Sequence, residues 1–303
     1  MLNDIFSFFV IITKIFFLSS NYLDPHKSAR LRLCGHWRHK RHIILRMIGF
    51  LIKKCFFDAW DNLFKIVLIN LGFIASLSIP VFVPALFQAV PALGIVVLVI
   101  GCLWCCVYLS TAALTLKSIS DYGSFGFLDF FGNLKIAWPA GLLLGGFLFV
   151  GYVLCAVVIP FYFSMGTMLG LFFTAIVFWT LAVGILAFQF FFAVRSRLGT
   201  KLTSVIRKSF IIFFDNPMFC IFSFIYNLII MIISAFVAFL IPGPAGALLF
   251  LDEGLRLRLL KYDWLEANPE ANRRKIPWDE LLIDEREKTG SRSFRSFIFP
   301  WKD

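Results

Sequence analysis

The chain has 303 residues and a net charge of +11, and it is 60% hydrophobic and 18% aromatic, with a mean hydropathy of +0.85. Soluble domains hold about 45–50% apolar residues, so this composition excludes an ordinary water-soluble protein and predicts an all-α, polytopic bundle of transmembrane helices. The positive charge does not point to nucleic acid, because the basic residues border the apolar blocks, as orientation signals do.

Residues 1–46 form a basic extension unlike the rest. Residues 1–20 are apolar, but Asp4 stands where a signal peptide is basic, Lys14 interrupts the run and no small-residue cleavage site follows. A cleaved signal is therefore not expected. All four histidines lie between His26 and His42, with His36, His39 and His42 at every third residue behind Cys34. That spacing suits a zinc ligand set on one helix face. Arg38, Lys40 and Arg41 crowd it with positive charge and no second ligand pair follows, so no metal or other cofactor is expected. Met47 opens a sound start for a membrane protein, Met-Ile-Gly-Phe-Leu-Ile-Lys-Lys, and the extension reads as a segment that is not native.

From Met47 onward three blocks, residues 66–116, 136–194 and 216–251, are free of Asp, Glu, Lys and Arg. A spanning helix needs roughly 20 apolar residues, so each of the first two blocks holds a helical hairpin. The third holds one full span and a shorter apolar stretch that meets Asp252 and Glu253. The expected transmembrane domain is residues 47–264, with spans near 63–80, 92–116, 138–160, 168–194, 217–241 and 244–262.

A repeated plan is visible. Segments rich in phenylalanine and charge, ending at Asn62, Asn133 and Asn216, precede the odd-numbered spans, and Ile79-Pro80, Ile159-Pro160 and Ile241-Pro242 follow them about 80 residues apart. Proline cannot continue the helical hydrogen-bond ladder, so each pair is expected to close its span. Three parallel two-helix repeats would result. Residues 125–136 and 201–214 mix aromatic and basic side chains and read as amphipathic helices on the membrane surface.

The turns near Pro80 to Pro91 and Pro160 to Met168 carry no charge, whereas Lys53, Lys54, Lys117, Lys135, Arg195, Arg197 and Lys201 flank the opposite ends. The positive-inside rule then places both termini in the cytoplasm, provided that a sixth helix crosses. That helix carries Asp252, Glu253 and Arg256, with Asp252 and Arg256 four apart on one face. We expect these three to be solvated at the cytoplasmic interface; a straight crossing would instead bury them against a cavity or partner. Asn70, Gln189 and Asn227 are the other polar candidates within spans, each read first as an interhelical hydrogen bond worth about 1 kcal/mol and second as part of a transport pathway.

Residues 265–303 form a cytoplasmic tail. Pro277-Trp278-Asp279-Glu280 suits a short helix that closes near Lys288 and Gly290. Phe294, Phe297, Phe299 and Trp301, among Arg292, Arg295 and Lys302, read as an interfacial anchor. Of the seven cysteines, Cys102, Cys105 and Cys106 form a C-x-x-C-C cluster, read as small apolar residues in mid-helix. There is no H-E-x-x-H, G-x-S-x-G or glycine-rich phosphate loop, so no enzyme is expected.

Asn70-Leu71, Ser78-Ile79-Pro80, Pro84-Ala85-Leu86, the run from Phe127 to Lys135 and Asn216-Pro217 resemble the YesL-like family of bacterial integral membrane proteins of unknown function. The resemblance covers roughly residues 56–262 and implies five or six spans in the bacterial cytoplasmic membrane. It also implies an accessory place beside solute transport, often carbohydrate uptake. The basic extension and the Trp-containing tail depart from that pattern. The leading expectation is a non-enzymatic component that binds other membrane proteins; the alternative is a solute transporter or channel with a polar pathway between its helices.

Overall fold

A chain in lipid must satisfy its backbone polar groups internally, and helix is the only regular structure among the described residues. The computed structural model describes residues 32–199, 201–270, 276–290 and 292, with side chains from Met47 onward except that of Phe127. The chain divides into two compact units, 1–46 and 47–303. The Cys34–His42 cluster, the apolar run 1–20 and the aromatic anchor beyond Arg292 lie outside the described residues or side chains.

In chain order the helices are α1 (Arg32–Asp61), α2 (Leu63–Phe82), α3 (Pro91–Ser120), α4 (Phe127–Val153), α5 (Ile159–Ser164), α6 (Met168–Phe188) and α7 (Phe191–Leu198). They continue as α8 (Leu202–Asp215), α9 (Pro217–Phe236), α10 (Gly243–Ala267), α11 (Trp278–Leu281) and α12 (Ile283–Thr289). Five stretches among the described residues are long and apolar enough to cross a membrane: Leu63–Phe87, Pro91–Ser120, Leu128–Ser164, Met168–Leu198 and Pro217–Phe236. The protein is thus an all-α, multi-pass membrane bundle. The sixth predicted span corresponds to the helix α10, but the charges from Asp252 onward keep it out of that set.

The Ile-Pro pairs do not all close helices. Pro80 lies inside α2, which runs on to Phe82 and a 3₁₀ turn at Val83–Phe87. Its missing N–H would leave the Ser76 carbonyl without a partner, and the Cys105 thiol donates to that oxygen at 3.4 Å. Pro160 sits near the start of α5, directly after a π-helical turn at Leu154–Val158 that widens the ladder and lets the helix continue. Only Ile241-Pro242 marks a true turn, with a cis bond and with Ala238 and Phe239 in the left-handed region at φ 50° and 59°. The span before it ends at Phe236, five residues short of the expected 241.

The surface-helix expectations divide likewise. Residues 202–215 form a separate amphipathic helix, α8, burying Val205, Ile212 and Phe213 and exposing Lys201 and Arg207 at its start and on its outer face. Residues 127–136, by contrast, are the first turns of α4. The Gly126 N–H donates to Asp129 Oδ2 at 2.8 Å, capping a helix that then runs uninterrupted through Pro139.

The centre of the bundle is α3, whose Thr111, Ala112, Thr115 and Leu116 are fully buried. Lipid gives apolar helices no hydrophobic reason to associate, so contact depends on small residues and on hydrogen bonds. Gly141 and Gly145, four apart on α4, let it lie against α3. A Cβ on Gly141 would strike the Val107 backbone, and one on Gly145 would meet Leu103 Cδ2 at 2.5 Å. Ser110 Oγ donates to the Ala137 carbonyl at 3.0 Å and Asn133 Nδ2 to Thr115 Oγ1 at 3.0 Å along the same seam. Gly141→Leu should therefore lower the unfolding free energy in detergent by about 2 kcal/mol, as overpacked sites do. Gly146→Leu, where a Cβ meets nothing within 4 Å, should leave it nearly unchanged in the same thermal scan.

Candidate functional site

The polar residues predicted within the spans serve different purposes. Asn70 is fully buried and fastens α2 to the α9–α10 turn: Nδ2 donates to the Leu240 and Pro242 carbonyls at 2.9 and 2.8 Å, and Oδ1 accepts from the Ala245 N–H at 2.9 Å. Gly243, at φ 62°, is required there because a Cβ would collide with the Asn70 amide. Gln189 Nε2 donates to the Cys220 carbonyl at 2.8 Å, joining the end of α6 to α9. Its Oε1 and the Oδ1 of Asn227 are buried without a partner among the described residues. These three amides are not brought into one site.

The charges form the real cluster. Arg197 on α7 grips Asp252 on α10 with a fork, Nε to Oδ1 at 3.1 Å and Nη2 to Oδ2 at 2.5 Å. Ser196 Oγ donates to the same Oδ1 at 2.9 Å. Arg197 Nη1 also donates to Asp121 Oδ1 at 3.0 Å, and Arg256 Nη1 reaches that oxygen at 2.9 Å, so one carboxylate just past α3 bridges two guanidinium groups. The other arm of Arg256 donates to Glu285 Oε1 on α12 at 2.8 Å.

Beside this lies Lys54 of α1, fully buried, which donates to Asp58, to the Ser120 carbonyl at 3.2 Å and to Glu253 Oε1 at 3.5 Å. Its ammonium sits 4.2 Å from the centre of the Tyr122 ring. Burial alone would lower the Lys54 pKa, but the facing charges of Glu253 and Asp58 overcome it and hold it above the usual lysine value. Burial pushes the Tyr122 phenol up to about 12, so at neutral pH it stays protonated and donates to Glu285 Oε2 at 2.9 Å.

The expectation of solvated charges at Asp252, Glu253 and Arg256 is overturned. Asp252 and Glu253 are 3% and 0% exposed, and Arg256 is enclosed by Ser120, Asp121 and Glu285. Asp252 pairs with Arg197 and not with Arg256 four residues on. Residues that composition gave no reason to single out, Lys54, Asp58, Asp121, Tyr122, Arg197 and Glu285, complete the network. A faint signal was present in Lys54 and Asp58, four apart on one face of α1.

The network closes one end of the bundle and joins α1, α3, α7, α10 and α12. Three apolar cavities, beside Phe64 and Trp104, beside Phe147 and Trp179, and beside Pro84 and Leu98, have no lining from Asp252 or Glu253. No group of three His, Cys, Asp or Glu side chains converges among the described residues in a way that could hold a metal ion. Cys102 is exposed, while Cys105 and Cys106 are buried as free thiols. Comparison with family models, with curated proteins and with solved structures gives no match.

A second ionic latch joins α8 to α10. Asp215 Oδ2 accepts from Lys261 Nζ at 2.8 Å, from Tyr262 at 2.7 Å and from Asn216 at 2.8 Å. Partial burial would raise the Asp215 pKa, but these donors outweigh it and hold the carboxyl below its usual value. A carboxylate depressed in the folded state stabilises the fold above its unfolded pKa and loses that stabilisation as pH falls through the folded value. The melting temperature of Asp215→Asn should thus lie below wild type at pH 7, by a modest amount because the group is partly exposed, and the difference should disappear in acid.

The larger effect belongs to the buried pair. Asp252→Asn leaves the enclosed Arg197 only the Asp121 carboxylate that it shares with Arg256, and should cost about 3–5 kcal/mol in denaturant titrations, against under about 1 kcal/mol for Arg286→Ala at the surface. Arg197→Met combined with Asp252→Leu should recover most of the loss, because no unpaired charge then remains.

Proposed function

We propose that the protein is a non-enzymatic component of a membrane assembly that binds other membrane proteins, with α10 completing a sixth crossing and both termini in the cytoplasm. One observation carries this reading: the uneven burial of the spans. The apolar windows of Leu63–Phe87, Pro91–Ser120 and Pro217–Phe236 are each 28% buried within the chain, but those of Leu128–Ser164 and Met168–Leu198 only 6% and 11%. The far half of the α4–α6 hairpin stands clear of the bundle and presents Phe149, Tyr152, Phe161, Leu169 and Trp179, each more than half exposed. Between its arms and Phe210 of α8 lies an apolar cleft of about 500 Å³, a gap for side chains from another span.

The enclosed charge network supports the same reading against transport. Charges that sense or pass a solute need water or substrate to reach them, whereas Lys54, Arg197 and Asp252 are paired deep within the protein. The YesL-like resemblance adds the kind of assembly, a solute uptake system of the bacterial cytoplasmic membrane, with carbohydrate the class that the resemblance implies.

A photocrosslinking residue at Trp179 or Phe149 should capture a membrane protein in native membranes, while one at the buried Ala112 should capture none. Capture of lipid alone at all exposed positions would remove the proposal. If instead the protein carries a solute, the chain reconstituted in vesicles should show flux that Asp252→Ala abolishes in variants still folded by circular dichroism.

A further inference from the structure

A groove of about 470 Å³ runs between α2, α3 and the start of α4. That is within the roughly 300–1,000 Å³ range of small-molecule sites. Its walls are apolar, from Phe64 and Leu68 to Trp104 and Phe130, and the polar atoms among them are already used. Tyr108 OH donates to the Ile69 carbonyl at 2.8 Å and Trp104 Nε1 to Ser76 Oγ at 3.2 Å. The groove therefore offers nothing to a polar solute along its length. Gly72 shapes it, because a Cβ there would displace the Tyr108 hydroxyl that crosses to α2.

Charge enters only at one end. Lys65 is the single charged residue in the lining, and it stands at the start of the first membrane-spanning segment, 5.2 Å from the Phe125 ring centre. Asp61, four residues before Lys65, pairs with Arg292, and Asp129, four after Phe125, accepts the capping N–H of Gly126. No described carboxylate forms an ion pair with Lys65. From Lys65 to Ser76 the α2 wall covers about 16 Å at 1.5 Å per residue. One leaflet of the hydrocarbon core is roughly 15 Å deep. The groove thus begins with a cation at the membrane edge and runs apolar for the depth of one acyl chain.

We propose that this groove is a binding site for one anionic membrane phospholipid, with an acyl chain along Leu68, Gly72 and Trp104 and the headgroup phosphate on Lys65. The occupant is an amphiphile because a charged end and an apolar run are matched in order, and it is anionic because the free charge at the mouth is positive. The site uses only the start of α4, not the exposed far half of the α4–α6 hairpin, and does not rest on the function proposed above.

The test uses the full chain in phosphatidylcholine nanodiscs carrying a trace of phosphatidylglycerol with a photoactivatable acyl chain, adducts being mapped by mass spectrometry. Labelling should concentrate on peptides containing Leu68, Gly72 and Trp104, and the same probe with a choline headgroup should label them several-fold less. Lys65→Gln should reduce the phosphatidylglycerol adducts about fivefold, the effect of losing one lysine at an anionic surface. Leu68→Trp, which fills the groove and keeps Lys65, should abolish them. Gel filtration and circular dichroism would confirm that both variants fold. Labelling spread evenly over exposed positions such as Phe149 and Leu169 would overturn the proposal. So would equal labelling by the two headgroups, or adducts indifferent to Lys65→Gln in a folded variant. A photoactivatable fatty acid that labels the groove and displaces the phospholipid would also overturn it, assigning the groove to a free acid.

Discussion

The fork between Arg197 and Asp252 is the contact on which the rest of the architecture depends. Removing a guanidinium and a carboxylate from water costs several kcal/mol for each ion, and their attraction offsets this only when the geometry is good and the remaining polar atoms have partners. Both conditions are met by residues from distant parts of the chain: Ser196 completes the shell of Asp252, and Ser120 and Asp121 complete that of Arg197. Satisfying one pair therefore fixes the relative placement of α3, α7 and α10. It also explains the break at Gln189 and Phe190. A short α7 set off from α6 can turn Arg197 inward while the apolar helix before it stays in lipid.

At the opposite end of α10 the same task is performed without charge. Asn70 uses its amide nitrogen and oxygen on the backbone of the α9–α10 turn and takes up an N–H that the first turn of α10 would otherwise leave open. The helix is thus held at its start by a neutral amide and from Asp252 onward by ion pairs. Apolar length alone does not position it, and its composition alone does not qualify it as a span.

Legibility in the sequence followed how local each signal was. Five spans could be placed because clearance of charge is a property of consecutive residues, and the amphipathic α8 was readable because its period is local. The Ile-Pro pairs misled because the fate of a proline depends on what lies across from it. Pro80 remains in its helix with a thiol 25 residues on serving the freed carbonyl, and Pro160 with a widened turn before it. Gly141 and Gly145 went unmarked among many small residues, although their spacing carries the α3–α4 seam. The charge network was the least legible part. Lys54 and Arg197 looked like orientation signals one by one, and only the fold shows that Lys54 faces Glu253 across 199 positions.

That separation bears on how the molecule is made. Domains emerge N-terminal end first during synthesis. Lys54 and Asp58 are made together, and Arg197 finds Asp121 already made, but the fork of Arg197 waits for Asp252 and the second arm of Arg256 for Glu285 on a helix that follows every span. Before those partners leave the ribosome, Arg197 and Arg256 have only the shared Asp121 of their ion-pair partners. The ionic shell of both guanidinium groups is therefore completed late, by carboxylates that follow them in the chain.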